Sequence, residues 1–148
     1  MEEGIGLKGC LKLENITTGQ VVEVPNTIMN VGFSTVSALA GSGITAPNKF
    51  GWMALGIGST TVAATQTTLG SQYLKIVTAN SQTTTTVTDD TLTMIGSFTV
   101  DATKTINEAG LFNASGLNTG SMLARTCFAD ISAISGDSIN ATWTVKFS

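Results

Sequence analysis

The segment before the C-terminal serine alternates between apolar and polar side chains, and this alternation constrains the fold more than any other feature of the sequence. In "SINATWTVKF" (138–147), polar residues separate the apolar Ile139, Ala141, Trp143, Val145 and Phe147. Successive side chains of a β-strand point to opposite faces of a sheet, so a period of two is typical of a strand with one buried face. The C-terminal segment is therefore predicted to be a half-buried strand.

Similar alternation, or runs of β-branched and apolar residues between turn signals, predicts further strands. These strands are expected at residues 4–14, 21–25, 52–56, 73–79, 83–88, 91–100, 104–113 and 121–131, with a turn at 80–83. Gly96 interrupts the pattern of its strand and is expected to mark a bulge.

One stretch has a different rhythm. Residues 27–40 place Ile28, Val31, Val36 and Leu39 near helical spacing, and Gly-Ser-Gly follows as a stop signal. This stretch is predicted to be the one substantial helix of the chain.

About eight strands with one short helix predict an all-β protein, built as a β-sandwich or a jelly-roll-like barrel. The 148 residues fit one domain. Residues 1–4 are expected to form a mobile N-terminal arm.

The surface of such a domain must be mostly neutral, because charged residues make up only 11% of the chain. Its polarity comes from Thr, Ser, Asn and Gln, as in "TANSQTTTTVTDDT" (78–91). Neutral hydroxyl groups lose less hydration free energy than charges when two proteins meet, so this composition favours assembly with other proteins.

Three kinds of partner or location are not expected. The net charge of −3 and the lack of Lys and Arg clusters argue against nucleic-acid binding. No apolar run approaches 18 residues, so no membrane span is expected. The acidic "MEEGIG" start lacks the positive region of a signal peptide, which predicts synthesis in the cytoplasm.

The residue types present argue against an enzyme. The chain contains no histidine, which removes the commonest general base and most catalytic zinc sites. Its acidic residues stand mostly beside turns, so no catalytic residue, no cofactor and no metal are expected. Cys10 and Cys127 are predicted to be free thiols, with a disulfide between the first and a late strand as the alternative.

"TINEAGLFNASGLNTGSMLAR" (105–125) holds two charged residues among small and apolar neighbours, Glu108 and Arg125. Strict alternation would place Glu108 on the face of Ile106 and Phe112, and a half-buried carboxylate needs partners. Hydrogen bonds to loop amides or a pair with Arg125 are the favoured interpretation, because the intervening turn predicts a hairpin. A contact between subunits and a catalytic role are the alternatives.

Several segments resemble a pattern found in small virion structural proteins of tailed bacteriophages, and together they cover most of the chain. They are "NTIMNVG" (26–32), "MALGIGST" (53–60), "TTLGSQ" (67–72), "INEAGLFNASG" (106–116), "GSMLAR" (120–125) and "GDSINATWTVKF" (136–147). The chain departs from that pattern at Gln72 and Lys75, where the family often has an acidic residue and an arginine.

The resemblance implies a capsid decoration, or cement, protein on the exterior of the virion. It would bind the major capsid protein as a homotrimer and bridge neighbouring capsid subunits. A tail-fibre or baseplate component is the alternative, and a carbohydrate-binding module that uses Trp52, Tyr73 or Trp143 is a third hypothesis. The candidate contact residues lie in the arm and in the loops 59–70 and 80–91: Glu2, Glu3, Thr60, Thr61, Gln66, Gln82, Asp89 and Asp90.

Overall fold

The protein is an all-β sandwich of two antiparallel five-stranded sheets, with a single short helix in the described part of the chain. A computed structural model describes residues 6–41 and 48–148. The described strands form two separate sheets rather than a closed barrel, so the sandwich alternative of the sequence prediction is confirmed.

The strands and the helix are numbered in chain order. They are β1 (Leu7–Asn15), β2 (Gln20–Pro25), β3 (Thr27–Ile28), α1 (Asn30–Gly41), β4 (Trp52–Gly56), β5 (Gln72–Val77), β6 (Ala79–Thr83), β7 (Thr91–Thr99), β8 (Lys104–Phe112), β9 (Met122–Ala133) and β10 (Ser138–Phe147). The first sheet has the order β2-β1-β10-β7-β6, and the second has the order β3-β9-β8-β4-β5.

The alternating C-terminal segment is the central strand of the first sheet, β10, paired with β1 on one side and β7 on the other. Its apolar members Ile139, Ala141, Trp143 and Val145 are buried in the main core between the sheets. The indole of Trp143 donates a hydrogen bond from Nε1 to Oδ1 of Asn26 at 2.6 Å, so the one polar atom of this ring has a partner.

A second, smaller core lies on the outer face of the second sheet. Its buried members are Met29, Ala54, Leu69, Phe112 and Met122. Leu69 belongs to the connection between β4 and β5, which crosses this face. The outer face of the second sheet is thus covered by the chain's own loop, residues 57–71, which is called the 57–71 loop below.

The region around β6 differs from the sequence prediction. Residues 79–83 form β6, although 80–83 had the signature of a turn. The predicted strand at 83–88 is wrong, because the carboxylate of Asp90 accepts hydrogen bonds from the amides of Thr85, Thr86 and Val87 and curls this segment into a loop. Aspartate side chains compete with strand pairing in this way.

The helix and Gly96 also differ from expectation. The helix begins at Asn30, because Thr27 and Ile28 pair with Arg125 and Ala124 as β3. Gly96 marks no bulge, since the pairing of β7 with β10 is regular there. A side chain at Gly96 would overlap Ile76, so the glycine allows close packing.

The two cysteines are free and cannot form a disulfide with each other. Cys10 lies on β1 next to the core residue Leu11, with its thiol near Glu23 on the outer face of the first sheet. Cys127 lies on β9 with its thiol 3.5 Å from the Thr60 carbonyl oxygen, under the 57–71 loop of the second sheet. The sandwich therefore separates the two thiols.

Some expectations fall on residues that the structure does not describe. The N-terminal arm, with Glu2 and Glu3, lies outside the described residues, as does all of the Gly-Ser-Gly signal beyond Gly41. The helix that is described is too short to cross a membrane.

Candidate functional site

Glu108 and Arg125 form a buried ion pair on the outer face of the second sheet. Both side chains are 0% exposed, and Nη2 of Arg125 lies 2.7 Å from Oε2 of Glu108. A second bond joins Nε to the same oxygen at 3.2 Å. Arg125 on β9 pairs with Gly110 on β8, which places the guanidinium diagonally across from Glu108. The hairpin thus forms the ion pair that the sequence suggested.

The carboxylate of Glu108 also binds three backbone amides, so both forms of the favoured interpretation are present. Oε1 accepts hydrogen bonds from Gly58 at 3.0 Å and Ser71 at 2.7 Å, and Oε2 accepts one from Gly70 at 2.9 Å. These amides lie near the two ends of the 57–71 loop. A single side chain therefore joins both ends of the loop to the sheet.

The guanidinium of Arg125 holds the middle of the same loop. Nη2 donates to the carbonyl oxygen of Thr60 and Nη1 donates to Oε1 of Gln66, both at 2.9 Å. The amide group of Gln66 in turn binds the backbone of Thr61 and Ala63. Buried charges are stable in a protein when they are paired and hydrogen-bonded. In this pair every nitrogen of the guanidinium and both oxygens of the carboxylate have a hydrogen-bond partner.

Two glycines leave the space that the carboxylate occupies. A side chain at Gly56 would overlap Glu108, and one at Gly58 would place its Cβ 2.7 Å from Oε1 of Glu108. The "GIG" at the end of β4 (56–58) therefore does more than turn the chain at a strand end. It allows the backbone to approach a buried carboxylate.

A β-bulge corrects the predicted orientation of Glu108. The register of β8 against β9 shifts between Ile106 and Glu108, where Asn107 of β8 stands opposite three residues of β9, 128–130, and the alternation of β8 is interrupted. Ile106 faces the main core, whereas Phe112 faces the smaller core on the outer face. Glu108 shares a face with Phe112 but not with Ile106.

The other candidate residues fall into two groups. Thr60, Thr61 and Gln66 belong to the 57–71 loop, where Gln66 is turned inward to Arg125 and the two threonines are exposed. Gln82, Asp89 and Asp90 line a cavity of about 400 Å³ beside β6 and β7. Sequence reasoning did not link the glycines at 56, 58 and 70 with Glu108, although "GIG", "LGS" and one carboxylate among apolar neighbours are the signals that this arrangement leaves.

The aromatic residues of the carbohydrate hypothesis are held inside the structure to different degrees. Trp143 is 0% exposed. Trp52 packs partly buried against the smaller core. The hydroxyl of Tyr73 donates a hydrogen bond to Asp101, and Lys104 lies over its ring at 5.3 Å from the centroid.

The charged groups of this region are already engaged within the protein. Both oxygens of Glu108 are saturated by hydrogen bonds, so the carboxylate has no free lone pair directed at a substrate. Burial raises the pKa of the nearby Cys127 thiol, although Arg125 opposes this shift. No group of three His, Cys, Asp or Glu side chains within residues 6–41 and 48–148 is arranged to hold a metal ion.

The fold and this region define a β-sandwich in which a buried ion pair organises a long surface loop. Comparisons with protein-family models, with curated proteins and with solved structures found no match.

Proposed function

We propose that the protein is a non-catalytic structural component of a phage particle, and specifically a decoration protein that binds the outer surface of the assembled capsid. The observation that carries this proposal is the 57–71 loop held by Glu108 and Arg125. Irregular loops longer than about 12–15 residues are uncommon in compact domains and are usually functional or disordered. This one is fixed by a buried ion pair.

The exposed side of the loop has the chemistry of a protein-binding surface. The exposed residues of the loop are all uncharged and, apart from the larger Ile57, small. Most of them carry hydroxyl groups: Ser59, Thr60, Thr61, Thr65, Thr67, Thr68 and Ser71. Such groups are desolvated at a lower free-energy cost than charges. They also present hydrogen-bond donors and acceptors to a partner's backbone.

Fixing the loop before binding favours association. A loop that is already ordered loses little conformational entropy when the complex forms, so more of the contact free energy contributes to affinity. In a decoration protein, many copies would each contribute one such contact, and a homotrimer would add avidity. The bound copies would stabilise the shell by mass action.

The saturated ion pair supports a structural role over catalysis. The one fully buried carboxylate among the described residues makes five hydrogen bonds, to Gly58, Gly70, Ser71 and twice to Arg125. A general acid or base needs a side chain within reach of a substrate proton. The carboxylate of Glu108 instead points toward the amides of the 57–71 loop.

Cosedimentation with emptied, undecorated phage heads tests the proposal, with isolated tails as a second arm. The wild-type protein is expected to pellet with heads and to remain in the supernatant with tails. Replacing Thr67 and Thr68 together with lysine is expected to abolish pelleting, because two charges would be placed on the loop surface. Replacing Thr103 and Thr105 together with lysine adds the same charge and is the matched control. Both residues are exposed, Thr103 just before β8 and Thr105 on it.

The outcomes separate the hypotheses. Equal pelleting by both double variants would overturn the assignment of the contact to the 57–71 loop. Wild-type protein that pellets with tails instead of heads would favour a fibre or baseplate component over a decoration protein. Wild-type protein that pellets with neither particle would overturn a role in the virion.

A further inference from the structure

Within residues 6–41 and 48–148, no strand pairs with the outer edge of β6 in the first sheet, whereas the other three sheet edges are protected. All five residues of β6 are exposed, and β7 is its only neighbour among the described strands. It carries no charge and no proline, and its pairing with β7 is regular from Ala79 to Thr83. Charges, prolines and bulges are the usual means by which proteins protect an edge strand from pairing with another chain.

The other edges show these means. The edge strand β2 carries Glu23 and ends in Pro25. The edge strand β3 has only two residues. The edge strand β5 contains a register shift against β4, and its Lys75 side chain binds the carbonyl oxygens of Gly116 and Thr119 in the β8–β9 hairpin. Among the described edge strands, β6 is therefore the one without such protection.

An apolar cleft runs beside β6 at one end of the sandwich. Its volume is about 640 Å³, within the range of ligand-binding pockets. Asn80, Ser81 and Gln82 of β6 form part of its wall. The remainder is largely apolar and comes from α1, from the segment before β4 and from both sheets: Val36, Leu39, Phe50, Leu92, Leu123 and Phe147.

Opposite charges lie at the two ends of this cleft. Asn80, near the start of β6, donates a hydrogen bond to the carbonyl oxygen of Phe50, which places the neighbouring Lys49 at that end. Asp89 and Asp90 line the adjoining cavity together with Gln82, near the end of β6. The cleft therefore has a cationic end beside the start of β6 and an anionic end beside its last residues.

We propose that β6 and this cleft bind an extended peptide segment of a partner protein, which adds to the first sheet as an antiparallel strand. A strand edge offers backbone hydrogen bonds, and an adjoining apolar cleft accepts alternate side chains, which is how β-strand addition combines affinity with specificity. An antiparallel strand begins beside Thr83 and ends beside Ala79. The charges therefore favour a segment with a basic residue first, apolar residues at alternate central positions and an acidic residue last.

This surface is separate from the 57–71 loop, which covers the outer face of the second sheet. The inference therefore does not depend on the proposed function. A decoration protein, a baseplate component or a protein outside a virion could each use it.

A library of random octapeptides displayed on yeast tests the proposal directly. An octapeptide is longer than β6, which has five residues. It can therefore pair along the whole strand and extend beyond both of its ends, at about 3.3 Å per residue. Selection on the intact protein is expected to enrich sequences with the basic, apolar and acidic order described above. No enriched sequence, or enrichment of the reverse order, would overturn the proposal.

The best enriched peptide is then synthesised with N-methyl groups on alternate amides, in two complementary sets. In a paired strand, only every second amide faces the neighbouring strand. One set is expected to weaken binding about tenfold or more, and the other is expected to leave it unchanged. Equal effects of the two sets would show that the peptide does not pair with an edge.

Protein variants locate the site. Leu39→Asn removes an apolar side chain from the cleft and is expected to weaken binding about tenfold. Leu117→Asn is the matched control, because Leu117 is also exposed (50% against 38% for Leu39) but lies in the β8–β9 hairpin. Lys49→Glu is expected to reduce the binding of peptides that end in an acidic residue. Asp89→Lys is expected to reduce the binding of peptides that begin with a basic residue. Indifference to all three cleft variants would overturn the assignment.

Discussion

Gly56 lies directly opposite Glu108 in the pairing of β4 with β8, and a Cβ on Gly56 would occupy space that the Glu108 carboxylate fills. The glycine is therefore required by the buried ion pair rather than by a turn. Glu108 stands two residues before Gly110, the residue of β8 that pairs with Arg125. The missing side chain at Gly56 and the ion pair of Glu108 with Arg125 are therefore parts of one arrangement.

Replacing Gly56 with alanine is expected to destabilise the protein by about 3 kcal/mol, because extra atoms in a filled space force side chains and backbone to move. Urea denaturation followed by tryptophan fluorescence measures the change in the free energy of unfolding. Gly51→Ala is the control, since a Cβ at Gly51 meets nothing within 4 Å. Similar losses for both variants would contradict the account of Gly56.

Most strands could be predicted from the sequence because their side chains alternate without interruption. β10 is the clearest example, since its buried residues are those that the period of two selects. The helix was located less accurately, because residues 27 and 28 have both helical spacing and β-forming side chains, and pairing with β9 decides between them.

The failures have local physical causes that a period cannot reveal. Asp90 withdraws the amides of residues 85–87 from strand pairing, so a Thr-rich run with high β propensity becomes a loop. The bulge next to Glu108 reverses the face of Ile106. The ion pair itself could be anticipated from composition, because two charges among apolar neighbours need each other, but its bonds to the 57–71 loop depend on the tertiary fold.

Glu108→Gln is expected to destabilise the protein by about 3–5 kcal/mol, since it leaves the buried guanidinium of Arg125 without a counter-charge. The 57–71 loop should lose order with it. Hydrogen exchange followed by NMR is expected to show faster exchange at the amides of Gly58, Gly70 and Ser71, which the carboxylate binds.

The control for this substitution is Glu23→Gln, which removes the same charge from an exposed position on β2. Substitutions at such positions usually change stability by no more than about 0.5 kcal/mol. A loop that retains slow exchange in Glu108→Gln would mean that Arg125 and Gln66 hold it without the carboxylate.

The two thiols are expected to react slowly with a disulfide reagent at neutral pH. Burial raises the pKa of Cys10, and the charge of Glu23 raises it further. Burial also raises the pKa of Cys127. Because the thiolate is the reactive form, the reaction rate of the folded protein should increase with pH into the alkaline range.

Titration with a chromogenic disulfide in denaturant is expected to count both cysteines as free thiols. In the folded protein, Glu23→Gln should accelerate the reaction of Cys10, because the neighbouring negative charge is removed. The same substitution should leave Cys127 unchanged, since that thiol lies on the other sheet. A count of fewer than two thiols in denaturant without a reducing agent would contradict the separation of the cysteines.

Acid is expected to destabilise the loop between β6 and β7 through Asp90. Hydrogen bonds from the amides of Val87, Thr85 and Thr86 hold the pKa of this carboxyl well below its usual value. A carboxyl group whose pKa is lower in the folded state binds protons less readily there than in the unfolded chain. Its stabilising contribution is therefore fully present above the unfolded pKa of about 3.9 and is lost as the pH falls toward the folded pKa.

Thermal denaturation between about pH 5 and pH 2 measures this contribution. The wild-type midpoint should fall across that range, and Asp90→Asn should show a flatter profile because the titrating group is absent. Asp130→Asn, at an exposed position on β9, is the control and should keep the wild-type slope. If Asp90→Asn fell as steeply as the wild-type protein, other carboxyl groups would account for the acid sensitivity, and the bonds of Asp90 to the loop would contribute little to the stability of the folded state.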